Sequence, residues 1–388
     1  MGALISLTLG CVDQLYYMAR YIAPKRPRYF KDGWGDVASA RKLAEAAVAS
    51  IASGKPGSPP FEAVSQSIEW GEVYPTKDSS VIARRGSFVS PIHAALPEPA
   101  KRCQFVLVCP VSMESSFPWM EPSAGRERGP VGTVDPSGVS IMLPATAEQG
   151  SGPRVTAAEV LAKESNMASI IITAPFYGAR RPPGQPMHYV CTVGDFWNAG
   201  TAIMEEAALL ACWSAEQFPR APICTTGFSW GGAMASCTGL LASQWLRPGG
   251  PRISVVPYAG SATPSVILDG LLNDDIDWTA LGGRIAAESE LARVFDCAHL
   301  RTLTEAILLN PEATARLAGV HVVSFRHDGF IRKSFSEDLF AHLSSCCVPG
   351  GLKQFSWKSG GHVAAFFTRG RHHIPAIARA LDAQHIED

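Results

Sequence analysis

The chain has 388 residues, 46 % hydrophobic and 18 % charged, with a formal net charge of −1. That composition can build one large α/β domain or two smaller ones and gives no electrostatic case for binding nucleic acid. Its ten cysteines are spread from Cys11 to Cys347 without a C-x-x-C pair, and Cys109, Cys224 and Cys237 fall in apolar runs. This reads as buried thiols in a reducing, intracellular setting and not as a disulfide framework. No H-E-x-x-H or comparable spacing appears, so neither a metal nor a cofactor is expected.

Residues 1–28 are apolar and aromatic, then basic (Arg20, Lys25, Arg26, Arg28), with Asp13 the one acid. Asp13 interrupts the apolar run, which argues against a transmembrane helix. The segment fits an interfacial amphipathic helix in peripheral contact with a membrane, an organelle-targeting segment, or an ordinary helix covering the core. Met1-Gly2-Ala3-Leu4-Ile5-Ser6, with Cys11 nearby, also fits the loose pattern for N-myristoylation. Residues 36–53 predict a helix, capped by Asp36 or Ser39 and stopped by Gly54, and Gly54–Pro60 predicts a linker. Residues 1–60 are therefore expected to be a helical extension ahead of a main domain over 61–388.

Residues 63–110 hold several strand-like runs, the clearest being 104–108. Residues 111–137, rich in Pro, Gly and Ser, predict a surface loop. Residues 139–143 predict a strand, 155–165 a helix, and 169–173 a strand buried on both faces. Arg180 lies in the loop after that strand, with Tyr177 beside it. Arg180 can hold a phosphate or carboxylate of a substrate, or stiffen the loop in a salt bridge. Residues 196–217 predict a long helix. Strands alternating with helices imply a mostly parallel sheet, helices on both faces, and a site at the carboxyl ends of the strands.

The apolar, β-branched stretch 221–226 leads into Gly227-Phe228-Ser229-Trp230-Gly231, and 232–237 reads as the start of a helix. Strand, sharp turn, helix is what a nucleophile elbow requires. Flanking glycines permit the turn, Ser229 stands above the sheet, and the Trp230 N–H faces the place where an oxyanion would form. A serine needs a base and the base an orienting acid, in the chain order Ser, acid, His. After a strand at 253–257, residues 261–315 are too long for a simple crossover. They predict helices at 285–295 and 303–309, an insertion forming a cap over the site. Their acids Asp269, Asp274, Asp275 and Asp277 read as a solvated face. The strand 318–325 then ends in Arg326-His327-Asp328-Gly329, and the strand 353–357 runs into Ser359-Gly360-Gly361-His362. Asp328 and His362 complete a triad with Ser229. The rivals are His327, read as a loop residue, His372 and His373, on or before the last helix, and Glu337 and Asp338, on a solvated helical face. The second oxyanion donor falls in the loop after 139–143, with Thr146 first and Ala147 second.

Several pieces together resemble the α/β-hydrolase domain-containing protein 18 family: Phe30-Lys31-Asp32-Gly33-Trp34-Gly35, Pro175-Phe176-Tyr177-Gly178-Ala179-Arg180-Arg181-Pro182 with Gln185, Gly227–Gly232, and Ser359–Val363. The resemblance covers roughly residues 30–380 apart from the 111–137 loop. It implies an α/β-hydrolase fold and a serine hydrolase with Ser229, Asp328 and His362 as triad. It further implies a lipid acyl ester as substrate, such as a phospholipid at a mitochondrial membrane. Acyl transfer on the same triad, or a non-catalytic scaffold binding a ligand or partner, are the alternatives. Two places depart from the family: Trp230 stands where Met is usual, and Ala145 and Ala147 stand where Gly is usual. Alanine keeps its N–H, so a donor survives unless the loop demands a positive φ.

Overall fold

The computed structural model of the protein describes Asp13, Leu15 and residues 26–52, 67–116, 135–246, 249–309 and 317–384. The expected linker at 54–60, the core of the 111–137 loop and nearly all of residues 1–28 lie outside these.

Nine strands form one sheet: β1 (Glu69–Val73), β2 (Val81–Val89), β3 (Arg102–Pro110), β4 (Val139–Leu143), β5 (Ala168–Thr173), β6 (Ile223–Phe228), β7 (Ile253–Tyr258), β8 (Leu317–Phe325) and β9 (Cys347–Lys358). Their spatial order is β1-β2-β3-β5-β4-β6-β7-β8-β9. β1, β2, β3 and β5 pair antiparallel, and every pairing from β5 through β4 to β9 is parallel. The central parallel strands are buried along their whole length in β4, β7 and β8. That is why they read in sequence as continuous apolar runs and not as alternation. β1, at one edge, is mostly exposed.

Helices cover both faces: α1 (Val37–Ala52), α2 (Gly152–Ser165), α3 (Val193–Gln217), α4 (Trp230–Trp245), α5 (Arg284–Cys297), α6 (Leu300–Leu309), α7 (Lys333–Ser345) and α8 (His362–Asp382). The Asp36 carboxylate accepts the Ser39 N–H at 2.9 Å, so of the two expected caps Asp36 starts α1. α1 gives Ala47 to the principal core, shared with α3 and the inner strands. On the other face α2 and α8 bury Leu161, Ile377 and Leu381 against β3, β5 and β7.

The acidic face expected on 269–277 is only partly solvated. Asp275 is fully buried and pairs with Arg26, while Tyr29 N–H donates to the Asp275 carbonyl at 2.8 Å. A carboxylate can be buried there because a guanidinium comes with it. Residues 261–309 hold two short helical turns, Val266–Asp269 and Asn273–Asp275, then α5 and α6. Through Tyr29, Ile276 and Phe295 they share a third apolar cluster with the start of the chain.

Candidate active site

Ser229 sits between β6 and α4 with φ 58° and ψ −120°. A side-chain-bearing residue held at positive φ stores of the order of 1–3 kcal/mol of strain, so its surroundings must enforce it. They do so from both sides. Ser229 N–H donates to the Tyr258 carbonyl at 2.9 Å, and the Ser229 carbonyl accepts the Gly232 and Ala233 N–H groups at 2.8 and 3.2 Å. The glycines are needed because the backbone passes so close. A Cβ on Gly227 would lie 2.5 Å from the Gly231 backbone, and one on Gly231 would lie 2.6 Å from the Leu143 carbonyl oxygen.

Two later strand ends meet this turn. His362 Nε2 lies 2.8 Å from Ser229 Oγ, and His362 Nδ1 lies 2.7 Å from Asp328 Oδ2. The other Asp328 oxygen accepts the Phe330 and Ile331 N–H groups at 2.9 and 2.7 Å, which fixes the carboxylate's plane. Phe228 and Phe330 flank the imidazole, at ring separations of 4.7 and 5.0 Å. Burial pushes the His362 pKa down. The Asp328 carboxylate, by charge and by hydrogen bond, and the charge of Asp13 push it up and prevail, so it stands above the ordinary histidine value. The rivals are placed elsewhere. His373 is half-buried against Thr226, 2.6 Å away, and stacks on Tyr258. Asp338 lies on α7 beside His299 and His342.

On the opposite rim, the loop after β4 brings Thr146 and Ala147 to the cavity that Ser229 and Trp230 line. Ala145 N–H donates to Glu148 Oε2 at 3.0 Å, Glu148 N–H donates to the Ala145 carbonyl, and Ala147 N–H faces the Tyr177 hydroxyl. Among the described residues no group takes the Thr146 N–H. Ala147 has φ 71°, whereas Ala145 does not enter the left-handed region. Of the two alanines where the family tends to carry glycine, one therefore occupies a conformation that glycine would adopt without strain.

Arg180 is not at the cavity. Its guanidinium is fully buried, forks onto both oxygens of Glu206 at 2.7 and 2.6 Å, and donates to the Thr173 and Ala100 carbonyls at 2.7 Å each. The expectation that it grips a substrate anion is corrected: the guanidinium is buried away from the cavity, its Nη1 and Nη2 donors are committed to Glu206 of α3 and to two backbone carbonyls, and the salt-bridge alternative holds. The rest of its motif is also structural. Phe176 takes φ 65°, Gly178 takes φ 53° where a Cβ would lie 2.6 Å from the Gln149 carbonyl oxygen, and Gln185 Nε2 donates to the Phe176 carbonyl at 2.8 Å. The turn so made delivers Tyr177 to the cavity wall, its ring 5.6 Å from that of Trp230.

The cavity holds about 970 Å³, at the upper end of small-molecule sites, roughly 300–1,000 Å³. Its wall is largely apolar and includes Met204, Met234, Leu303, Ile331 and Phe366. α1 supplies Ala44 and Val48, and 261–309 supplies Val266, Ile267 and Leu300. The helix expected in a separate N-terminal extension is thus part of the site's wall.

Among the described residues, His299, Asp338 and His342 bring ligand-type atoms within 4.8 Å of one another. His299 Nδ1 accepts the Arg301 N–H at 3.0 Å, which puts its proton on Nε2, toward Asp338 Oδ2 at 3.0 Å. So arranged, His299 turns no lone pair toward an ion.

Sequence reasoning missed Asp13. Its side chain is fully buried, and its carboxylate accepts the N–H groups of Gly329, His362 and Val363 at 3.0, 2.6 and 2.7 Å. The available signal was a lone acid within an apolar stretch, because a carboxylate that leaves water must find donors.

A serine on a strained turn after a central strand, with an acid and a histidine after two later parallel strands, defines the α/β-hydrolase fold. Two solved structures share that architecture. Acetyl xylan esterase 1 from Thermoanaerobacterium sp. JW/SL YS485 is 12 % identical, over 86 % of this chain and 91 % of that one, with a TM-score of 0.51. The acetyl xylan esterase from Paenibacillus sp. R4 is 13 % identical, over 89 % and 95 %, with a TM-score of 0.51. At such identities the likeness is one of fold. The chain itself belongs to the family described as alpha/beta hydrolase domain containing 18, which matches residues 27–306. The match ends before Asp328 and His362, so those two rest on geometry.

Proposed function

We propose that the protein is a serine hydrolase that cleaves a carboxylic ester with a large apolar acyl part, a lipid ester being the class the cavity suits. The observation that carries this reading is the unbroken relay from Ser229 Oγ to His362 Nε2 at 2.8 Å and from His362 Nδ1 to Asp328 Oδ2 at 2.7 Å. His362 takes the Ser229 proton as Oγ attacks the ester carbonyl, and Asp328 fixes the imidazole tautomer and steadies the imidazolium. The Trp230 N–H, at the first position of α4 where no intrahelical acceptor exists, and the Thr146 N–H hold the oxyanion. His362 returns its proton to the leaving alcohol, and water releases the acid from Ser229 by the same route. The apolar wall around Met234 and Phe366 supports the acyl assignment, because burying chain methylenes yields about 0.8 kcal/mol each. No cofactor takes part in this scheme.

Labelling with a fluorophosphonate, followed by a series of p-nitrophenyl esters of rising chain length, tests the proposal. The wild type is expected to label and Ser229→Ala not to, and kcat/KM is expected to rise with chain length. A folded wild type that stays unlabelled would leave a ligand-binding scaffold as the better reading.

A further inference from the structure

We propose that Asp13 is a positioning residue of this site: its carboxylate ties the loop carrying Asp328 to the first turn of α8 carrying His362, so that the start of the chain is a working part of the triad. The inference rests on the reading of Ser229 as nucleophile. Asp13 Oδ2 accepts from Gly329 N–H, next to Asp328, and from His362 N–H itself, and Asp13 Oδ1 accepts from Val363 N–H. One buried carboxylate thus spans the two segments whose side chains must stay 2.7 Å apart, Asp328 and His362. Neither segment could supply this bridge, since each contributes donors that need the same kind of acceptor. α8 offers no side-chain cap of its own, because its N-cap residue is Gly361, so its first N–H groups would otherwise be orphaned.

Gly361 gives an independent sign of the same fit. Its φ is −108° and ψ −169°, extended backbone open to any residue. A Cβ there would nonetheless lie 2.4 Å from Asp13 Oδ2. Glycine at 361 is therefore explained by the approach of Asp13 and not by its own conformation. Charge points the same way. The groups facing the His362 ring are Asp328, the Ser229 hydroxyl and two phenylalanine rings, with Asp13 at its backbone, and Asp13 adds to the rise in the His362 pKa. Asp13 accordingly holds the base in place and favours its protonated form, the form it must reach as Ser229 attacks.

The test is the rate of fluorophosphonate labelling as a function of pH for the full-length wild type, Asp13→Asn, Asp13→Glu, Gly361→Ala and Ser229→Ala. Asp13→Asn and Gly361→Ala are expected to label on the order of 10- to 100-fold more slowly, the size of effect a displacement of about 1 Å produces. In Asp13→Asn the acidic limb of the profile, set by neutral His362, is expected to move to lower pH, because a negative charge beside the imidazolium is gone. Asp13→Glu keeps the charge and should keep the limb. A helix cap with no part in the triad would change the melting temperature but neither the limb nor the rate per folded molecule, and that result overturns the proposal. Wild type without Ser229-dependent labelling is a different failure, that of the nucleophile assignment, and takes this inference down with it. Should Asp13→Asn not fold, amide exchange in the wild type decides: the N–H groups of Gly329, His362 and Val363 are expected to be strongly protected, and exchange at open-loop rates refutes the bridge.

Discussion

The two rims of the cavity are held by opposite chemistry. On the rim that carries Asp328 and His362, carboxylates collect backbone N–H groups: Asp328 takes those of Phe330 and Ile331, and Asp13 takes those of Gly329, His362 and Val363. On the rim of the β4 and β5 loops, arginines collect backbone carbonyls. Arg154 donates to Met142 and Ile172, and Arg180 donates to Thr173 and Ala100, with Glu148 and Glu206 as their counter-ions. Loops entering a helix expose N–H groups, and parallel strands ending at a loop expose carbonyls, so each rim recruits the charge its backbone lacks. The difference lies in what is left over. The arginine forks spend their donors on structure, whereas Asp328 keeps one oxygen for His362. Buried charge alone therefore does not mark the site; a buried charge paired with a side chain that lines the cavity does.

The sharpest way to break this comparison is Asp328→Asn. Its Oδ1 can still accept from Phe330 and Ile331, so the rim should hold, but an amide N–H2 facing Nδ1 selects the wrong imidazole tautomer. Labelling and ester turnover are expected to fall by about 10⁴-fold, with the melting temperature little changed. A loss of stability with activity intact per folded molecule would make this rim structural too. The mirror experiment is Arg180→Leu. It strands the Glu206 carboxylate in the core, and stability measured by denaturant titration is expected to drop by about 3–5 kcal/mol. Activity per folded molecule should be unchanged, equally on anionic and neutral esters. A selective loss on anionic esters would restore Arg180 to substrate binding.

A smaller effect lies in pH. The His362 pKa stands above the ordinary histidine value, and the base works only when neutral. The labelling rate should therefore rise with pH along a limb lying above that value. The same shift stabilises the folded state fully below the ordinary value, and that contribution is lost as pH rises through the raised one. A limb at or below the ordinary histidine value would show that the carboxylates of this rim do not reach the imidazole.

How much of this the sequence discloses differs between the rims for a physical reason. Ser229, Asp328 and His362 are legible because each follows a strand and sits in a glycine-bearing turn, so local pattern and chain order suffice. The parallel strands are legible because burial on both faces removes polar residues from them. β1 and β2 are only hinted at among the runs of 63–110, since the edge strand β1 is mostly exposed and β2 alternates buried with less buried residues, so neither carries a continuous apolar run. Arg180 is ambiguous from sequence because a residue in that loop can turn toward the cavity or the core, and Glu206, its partner, lies a helix away. Asp13 stands out in sequence only as a lone acid, and its role is hidden for a stronger reason: its donors are more than 300 residues distant in the chain, and no local rule pairs it with them. Asp275 escapes in the same way, because its partner Arg26 lies far back in the chain.

The smallest expected effect concerns the other rim's one strained residue. Ala147 is held at φ 71°, a conformation that costs an L-residue roughly 1–2 kcal/mol and glycine nothing. Ala147→Gly removes that strain but gives the unfolded chain more freedom, which takes back about 0.5–1 kcal/mol. The net is a gain of up to about 1 kcal/mol, a rise of at most a few degrees in melting temperature. Activity should hold if, as proposed, Thr146 supplies the oxyanion N–H, because the Arg154–Glu148 pair keeps the loop in place, Glu148 Oε1 lying 2.8 Å from Arg154 Nε. If Ala147→Gly instead loses activity while gaining stability, the alanine at 147 is itself restraining the loop. The oxyanion rim would then depend on local stiffness as much as on its arginines.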